Sequence, residues 1–269
     1  MKLISFDPFR TLGLPGVRYI KPEHMFAQRE QLADADWLLF PAYWQLHALH
    51  YVLGRPIFPS LATYHLGHDK IEMTRALRLA CPDNVPETEI LPSSHSGVSR
   101  ILDTWTFPFV AKRVRSSEGD GVFLVENRQQ FLDYAARHEA LYIQKLLPIV
   151  RDLRVVVVGR NVVASYWREG TSFHNNLAQG ARVRTDLPVP DAALELVLEL
   201  ARRLGIDHAG FDVAWVDGRP YVLEFNRLFG NQGIADLPQR VGAAMRTYLL
   251  DEVSPSPLSP EPAPITVSA

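Results

Sequence analysis

The sequence predicts a mixed α/β protein whose second half is built from β-hairpins, and three local observations carry that reading. Gly159-Arg160-Asn161 separates two apolar runs, Asp217-Gly218 separates two more, and Ala193–Gly205 places apolar residues at helical spacing up to a terminal glycine. The chain has 269 residues, 47% of them hydrophobic, which is enough for a real core and for one large domain or two modest ones.

Taken in order, LISF (Leu3–Phe6) and DWLLFPA (Asp36–Ala42) predict strands, with helix-compatible spacing over Pro22–Ala35 between them. This small α/β unit has no phosphate-binding glycine fingerprint. Its aromatic residues Trp37, Phe40, Tyr43 and Trp44 are the expected core of the first domain. KIEMTRALRLA predicts a helix that follows Asp69 and stops at Pro82. WTFPFVAKRV and VFLVEN predict a hairpin closed by SSEGDG, followed by a helix in QQFLDYAARH and a strand in ALYIQKLL. RDLRVVVVGRNVVASYWR and HAGFDVAWVDGRPYVLEFN predict two more hairpins, and a last helix runs from about Leu237 to Leu250. VSPSPLSPEPAPITVSA is too rich in proline to bury a core and predicts a disordered tail. No internal repeat is visible.

Composition removes several function classes. With 28 basic and 30 acidic residues, nothing pushes the chain toward nucleic acid or a membrane surface. The single cysteine, Cys81, excludes an intramolecular disulfide framework and predicts a structural thiol. No run approaches the ~20 apolar residues of a membrane span, and the start lacks a signal-peptide pattern, so a cytoplasmic soluble protein is the expectation. His47, His50, His65 and His68 show no metal-ligand spacing and are expected to serve packing or the surface.

Two segments invite chemistry. Glu224 and Asn226 are two apart on one predicted strand and so share a face, and the Asp217-Gly218 turn brings Asp212 within reach. The three are either polar residues on an exposed sheet face or an oxygen-ligand set suited to magnesium on substrate phosphates. Lys112 precedes SSEGDG, which is either an ordinary hairpin turn or a loop whose glycines admit an anion and whose Ser116 and Ser117 donate to it.

In this order, over about residues 68–235, these segments resemble the ATP-grasp superfamily and within it the RimK-type glutamate ligases. The resemblance implies an ATP-grasp fold with a short N-terminal domain at 1–67, an ATP-grasp domain at 68–252 (a smaller part near 105–145, a larger one near 146–252) and the tail at 253–269. It implies ATP with magnesium or manganese. Lys70 and Lys112 are then phosphate-contacting lysines, and Ser116, Ser117, Gly119 and Gly121 belong to the loop over the phosphates. Gln144, Lys145, Leu146 and Leu147 form the adenine hinge, and Asp152 lies near the ribose. Arg168 and Lys112 are the implied catalytic residues, Arg168 beside the reacting phosphate and acyl oxygens. His174, Asn175 and Asn176, in FHNNLAQG, stand beside the nucleotide, and Asp212, Glu224 and Asn226 hold the metal.

Three positions depart from the family pattern: Lys145 where glutamate is usual, His174 where arginine is usual, and Phe229 in place of a proline. The implied activity joins a carboxylate to an amine through an acylphosphate, with small-molecule or peptide substrates and no nucleic-acid or membrane partner. The alternatives are an ATP-grasp kinase and a non-catalytic ATP-binding regulator. Asp212→Ala and Glu224→Ala are expected to stop turnover with the fold intact.

Overall fold

A computed structural model of the chain describes residues 1–115, 121–170, 182–230 and 234–252. They divide into two compact units, Met1–Leu61 with the C-terminal helix, and Ala62–Leu237. The expected mixed α/β character holds in both.

In the first unit four parallel strands lie in the order β2-β1-β3-β4: β1 Leu3–Ser5, β2 Val17–Tyr19, β3 Trp37–Leu39 and β4 Ile57–Phe58. The helix expected over Pro22–Ala35 is shorter, a 3-10 turn at Pro22–His24 and α1 at Arg29–Ala33. Only Leu32 of α1 is buried, so the stretch has too little apolar surface to sustain more turns. The C-terminal helix α7, Leu237–Asp251, brings the Tyr248 ring to within 6.4 Å of Trp37 and 5.8 Å of Phe58, centroid to centroid.

Trp37 and Phe40 are buried as expected, but Tyr43 and Trp44 are corrected: they are 40% and 56% exposed. The strand ends at Leu39 and a 3-10 turn covers Tyr43–Gln45. There Gln45 takes the inward position, accepting from the Ala42 amide at 2.8 Å and donating to the Pro22 carbonyl at 3.3 Å.

The second unit opens with α2, Leu61–Leu66, and α3, Lys70–Ala80. The Asp69 carboxylate caps α3 by accepting from the Ile71 and Glu72 amides. A four-stranded antiparallel sheet follows in the order β5-β8-β6-β7, with β5 Thr88–Pro92, β6 Phe109–Lys112, β7 Val122–Val125 and β8 Ala140–Lys145. Helices α4, His95–Thr104, and α5, Arg128–Ala135, cover one face, burying Phe109, Ala111, Leu141 and Ile143.

The larger sheet is antiparallel in the order β11-β10-β9-β12-β13: β9 Arg151–Val158, β10 Asn161–Glu169, β11 Arg182–Arg184, β12 His208–Val216 and β13 Arg219–Asn226. Both sequence-predicted hairpins are present, and Asp217 and Gly218 take the positive φ values of 50° and 75° that the tight turn needs. Helix α6, Asp191–Leu204, ends at left-handed Gly205.

Strand alternation sorts this sheet into two faces. Leu153, Val155, Val157, Trp167, Phe211 and Val213 pack with α3 and α6 residues such as Met73, Leu77, Val197 and Leu200. Cys81 joins that cluster, and burial pushes its thiol up to about 11, which suits a structural role. Residues of the other parity, including Asp152, Arg154, Tyr166, Arg168, Gly210 and Asp212, point to the opposite face. Among the described residues no helix is long and apolar enough to cross a membrane.

Candidate active site

The polar face of the larger sheet is organised by register. Arg168 on β10 stands opposite Asp152 on β9, and Arg154, two residues along β9, stands opposite Asp212 on β12. Asp212 in turn faces Glu224 on β13, and Gly210 faces Asn226. The ladder shifts between Asp212/Glu224 and Val213/Val222, which makes Leu223 the extra residue of a bulge. That shift lets Glu224 and Asn226 share the polar face while Val222 and Phe225 both enter the core.

Charge is then packed densely. Arg168 grips Asp152 with both arms, Nε to Oδ1 at 2.8 Å and an η-nitrogen to Oδ2 at 2.5 Å. The same η-nitrogen lies 2.9 Å from Asp212 Oδ1, and Arg154 Nε lies 2.8 Å from that oxygen. Neither N–H is aligned on it, so Asp212 Oδ1 is buried without a hydrogen bond. Lys70, at the start of α3, places Nζ 3.8 Å from Glu224 Oε2, and Asn226 Nδ2 donates to Glu224 Oε1 at 3.3 Å.

The smaller sheet contributes Lys112, only 5% exposed, with Nζ 5.6 Å from the centroid of the Tyr142 ring. Burial lowers the pKa of both Lys112 and Lys70, an effect that Glu224 partly opposes. Burial alone would raise Glu224, and Lys70 and Lys112, with Asn226 and Arg154, more than reverse this. Asp152 is pushed up to about 6 by burial, with Arg168 pulling the other way. Burial would lower Arg168, but Asp212 and Asp152 hold it above its ordinary value. Four cationic groups thus meet three carboxylates in a largely water-excluded setting, an excess of positive charge that favours an added anion.

The sequence-predicted residues divide into three sets. Lys70, Lys112, Asp152, Arg168, Asp212, Glu224 and Asn226 come together as described. Gln144 is buried next to them, with Nε2 donating to Thr88 Oγ1 at 2.9 Å, while Lys145 is exposed at the end of β8 and Leu146 and Leu147 are half-buried. Gly121 is buried, its carbonyl accepting from the Arg113 amide at 2.6 Å. Ser116, Ser117, Gly119, His174, Asn175 and Asn176 lie outside the described residues, as does the 253–269 tail.

The RimK-like ATP-grasp domain family matches this chain over residues 68–249, most of its length. The chain belongs to the RimK-like ATP-grasp family. A relative from Enterobacter sp. (strain 638) named "Probable alpha-L-glutamate ligase" is 30% identical over 193 residues, covering 66% of this chain and 64% of that protein. The "Ribosomal protein bS6--L-glutamate ligase" of Escherichia fergusonii is 31% identical over 135 residues, 47% of this chain and 45% of that protein. The chain therefore aligns with about two thirds or less of the length of these curated relatives.

Among solved structures, a RimK-domain ATP-grasp protein from Sphaerobacter thermophilus superposes with a TM-score of 0.70 at 18% identity, covering 93% of this chain and all of that one. A D-alanine–D-alanine ligase from Bacillus anthracis reaches 0.69 at 17% identity, covering 93% and 95%. These likenesses bear out the ATP-grasp fold.

Two residues of this charged cluster escaped sequence reasoning. Arg154 follows Asp152 by two residues in RDLRV, so strand parity alone would have found it. Tyr142, which faces the Lys112 ammonium, had no signal beyond its place in an apolar strand.

Proposed function

We propose that the chain is an ATP- and magnesium-dependent carboxylate–amine ligase that works through an acylphosphate. The observation that carries this reading is the cluster in which Lys70 from α3 and Lys112 from the smaller sheet join Arg168 and the Asp212, Glu224 and Asn226 set on the polar face of the larger sheet. Phosphoryl transfer asks a protein mainly for positioning and for neutralisation of charge, and this cluster is built for both. The buried Asp212 Oδ1, without a hydrogen bond, is the kind of hard oxygen acceptor that a divalent cation takes. Asp212, Glu224 and Asn226 would hold magnesium, which neutralises phosphate charge when bound.

In this proposal Lys70 and Lys112 draw the nucleotide's phosphates into the site. Arg168, held by Asp152, stabilises charge on the transferring phosphoryl group and the acyl oxygens. A carboxylate oxygen attacks the γ-phosphorus and the bond to ADP breaks. An amine then attacks the acyl carbon and expels inorganic phosphate, losing a proton. The hinge Gln144–Leu147 receives adenine. Two relatives named as L-glutamate ligases support an amino acid as one substrate and an amino acid, peptide or protein as the other.

Purified protein incubated with ATP, magnesium and pairs of amino acids or peptides tests the reading by phosphate release and product mass. ADP formation that requires the amine and yields an amide is the expected result. ADP formation with a phosphorylated acceptor and no need for an amine would overturn it in favour of a kinase.

A further inference from the structure

The smaller sheet carries an irregularity beside Lys112. Strands β6 and β8 pair at Phe109 with Lys145, Val110 with Gln144 and Ala111 with Ile143. The next step of that register would set Lys112 opposite Tyr142, and the ladder stops before it. The hydroxyl of Tyr134, from α5, stands in the missing rung. It donates to the Lys112 carbonyl at 2.7 Å and accepts from the Tyr142 amide at 3.2 Å. A side-chain oxygen thus links the two backbone groups that a direct amide–carbonyl bond would join.

The consequence reaches the site. Residues opposite one another in an antiparallel register share a face, so the Lys112 and Tyr142 side chains emerge together. Lys112 Nζ lies 5.6 Å from the centroid of the Tyr142 ring, within range of a cation–π contact. Tyr142 is itself tied down, with its hydroxyl 2.7 Å from Thr74 Oγ1 and 3.4 Å from Gln144 Nε2. Thr74 sits one helical turn after Lys70 on α3, so the chain of contacts joins both lysine-bearing elements. The Tyr134 ring meanwhile belongs to the apolar cluster under α4 and α5, which anchors the phenol from the far side of the sheet.

We infer that Tyr134 is a positioning residue: through the Lys112 carbonyl and the Tyr142 amide it fixes where the Lys112 ammonium stands, and so sets the affinity of the site for a nucleotide's phosphates. This rests on the proposal that Lys112 binds those phosphates. A tyrosine that merely stitched helix to sheet would alter stability and treat all nucleotide ligands alike.

Calorimetry with magnesium-ATP and with adenosine, on wild type, Tyr134→Phe, Lys112→Ala and the double variant, separates the two roles. Tyr134→Phe is expected to weaken ATP binding on the order of ten-fold, with adenosine unaffected. In the Lys112→Ala background the same change should cost ATP nothing further. Equal losses for ATP and adenosine, or a full additional loss in the double variant, would overturn the inference while leaving the function proposal in place. Unchanged ATP affinity in Lys112→Ala would overturn the phosphate role of Lys112 and the inference with it. If Tyr134→Phe does not fold, Tyr142→Leu tests the last link of the chain, since it removes the ring beneath the ammonium and keeps the Tyr134 rung. A selective loss for ATP supports the positioning chain, and wild-type affinity overturns it.

Discussion

Asp212 and Glu224 are both assigned to the metal, yet their surroundings demand different outcomes on substitution. Asp212 is buried between two guanidinium groups, at 2.8 and 2.9 Å. Its removal leaves Arg154 and Arg168 short of a counter-charge in a dry setting, and breaking a buried pair in this way costs roughly 3–5 kcal/mol. Asp212→Ala should therefore abolish turnover and also melt well below wild type, contrary to the intact fold expected from sequence. Glu224 has a side chain 24% exposed and lies 3.8 Å from Lys70, so Glu224→Gln should lose turnover with a smaller drop in melting temperature than Asp212→Ala. Phosphate release with the true substrates and circular-dichroism melts check both. Normal ATP consumption by Glu224→Gln would sink the metal assignment. The meeting of Asp212, Glu224 and Asn226 on one face was legible in the sequence because strand alternation and one tight turn suffice to bring them together. Tyr134 and Thr74 were not legible, because their parts depend on packing between elements far apart in sequence.

At the scale of the element, the register of β9 against β12 requires a residue without a side chain. Arg154 crosses Gly210 so closely that a Cβ there would lie 2.3 Å from its η-nitrogen and 3.1 Å from its Cδ. The Phe229 Cβ would also lie 3.1 Å from that added carbon. Gly210→Ala is expected to push Arg154 off Asp212, destabilise the chain by ~1–3 kcal/mol in urea unfolding, and reduce turnover. Wild-type stability and rate would show that the arginine relocates freely. Hairpins and the long α6 were readable because turn residues and periodicity are local. The β5 strand and α4 carried no comparable signal, since TEILP is short and HSGVSRILDT is half polar. The parallel strand β2, VRY, is largely exposed and lacks the apolar run of β1 and β3, and β4 spans only two residues.

For the molecule as a whole, the apolar clusters packed on the two antiparallel sheets supply stability, and the buried charged cluster draws on it. Lys112 shows the cost most clearly. Its ammonium is buried, and burial lowers its pKa even with Glu224 and Asp212 opposing. Replacing it with methionine, of similar length and apolar, removes the desolvated charge and leaves Lys70 to face Glu224. Lys112→Met is expected to stabilise the nucleotide-free protein by about 1 kcal/mol, or ~2–4 °C for a chain of this size, while abolishing tight ATP binding. The gain should depend on pH with a definite sign. The folded chain releases the Lys112 proton at a lower pH than the unfolded chain, whose lysine holds it to about 10.5. Between those points the unfolded state binds more protons, so wild-type stability rises with pH and the advantage of methionine shrinks. Tyr142 does not confuse the comparison below its own titration, since burial pushes it up to about 12. Paired urea unfolding at pH 7, 9 and 10 would reveal the narrowing gap. A gap that stays constant or widens would mean that the ammonium is well solvated, and the charged cluster would then cost the fold nothing at this position.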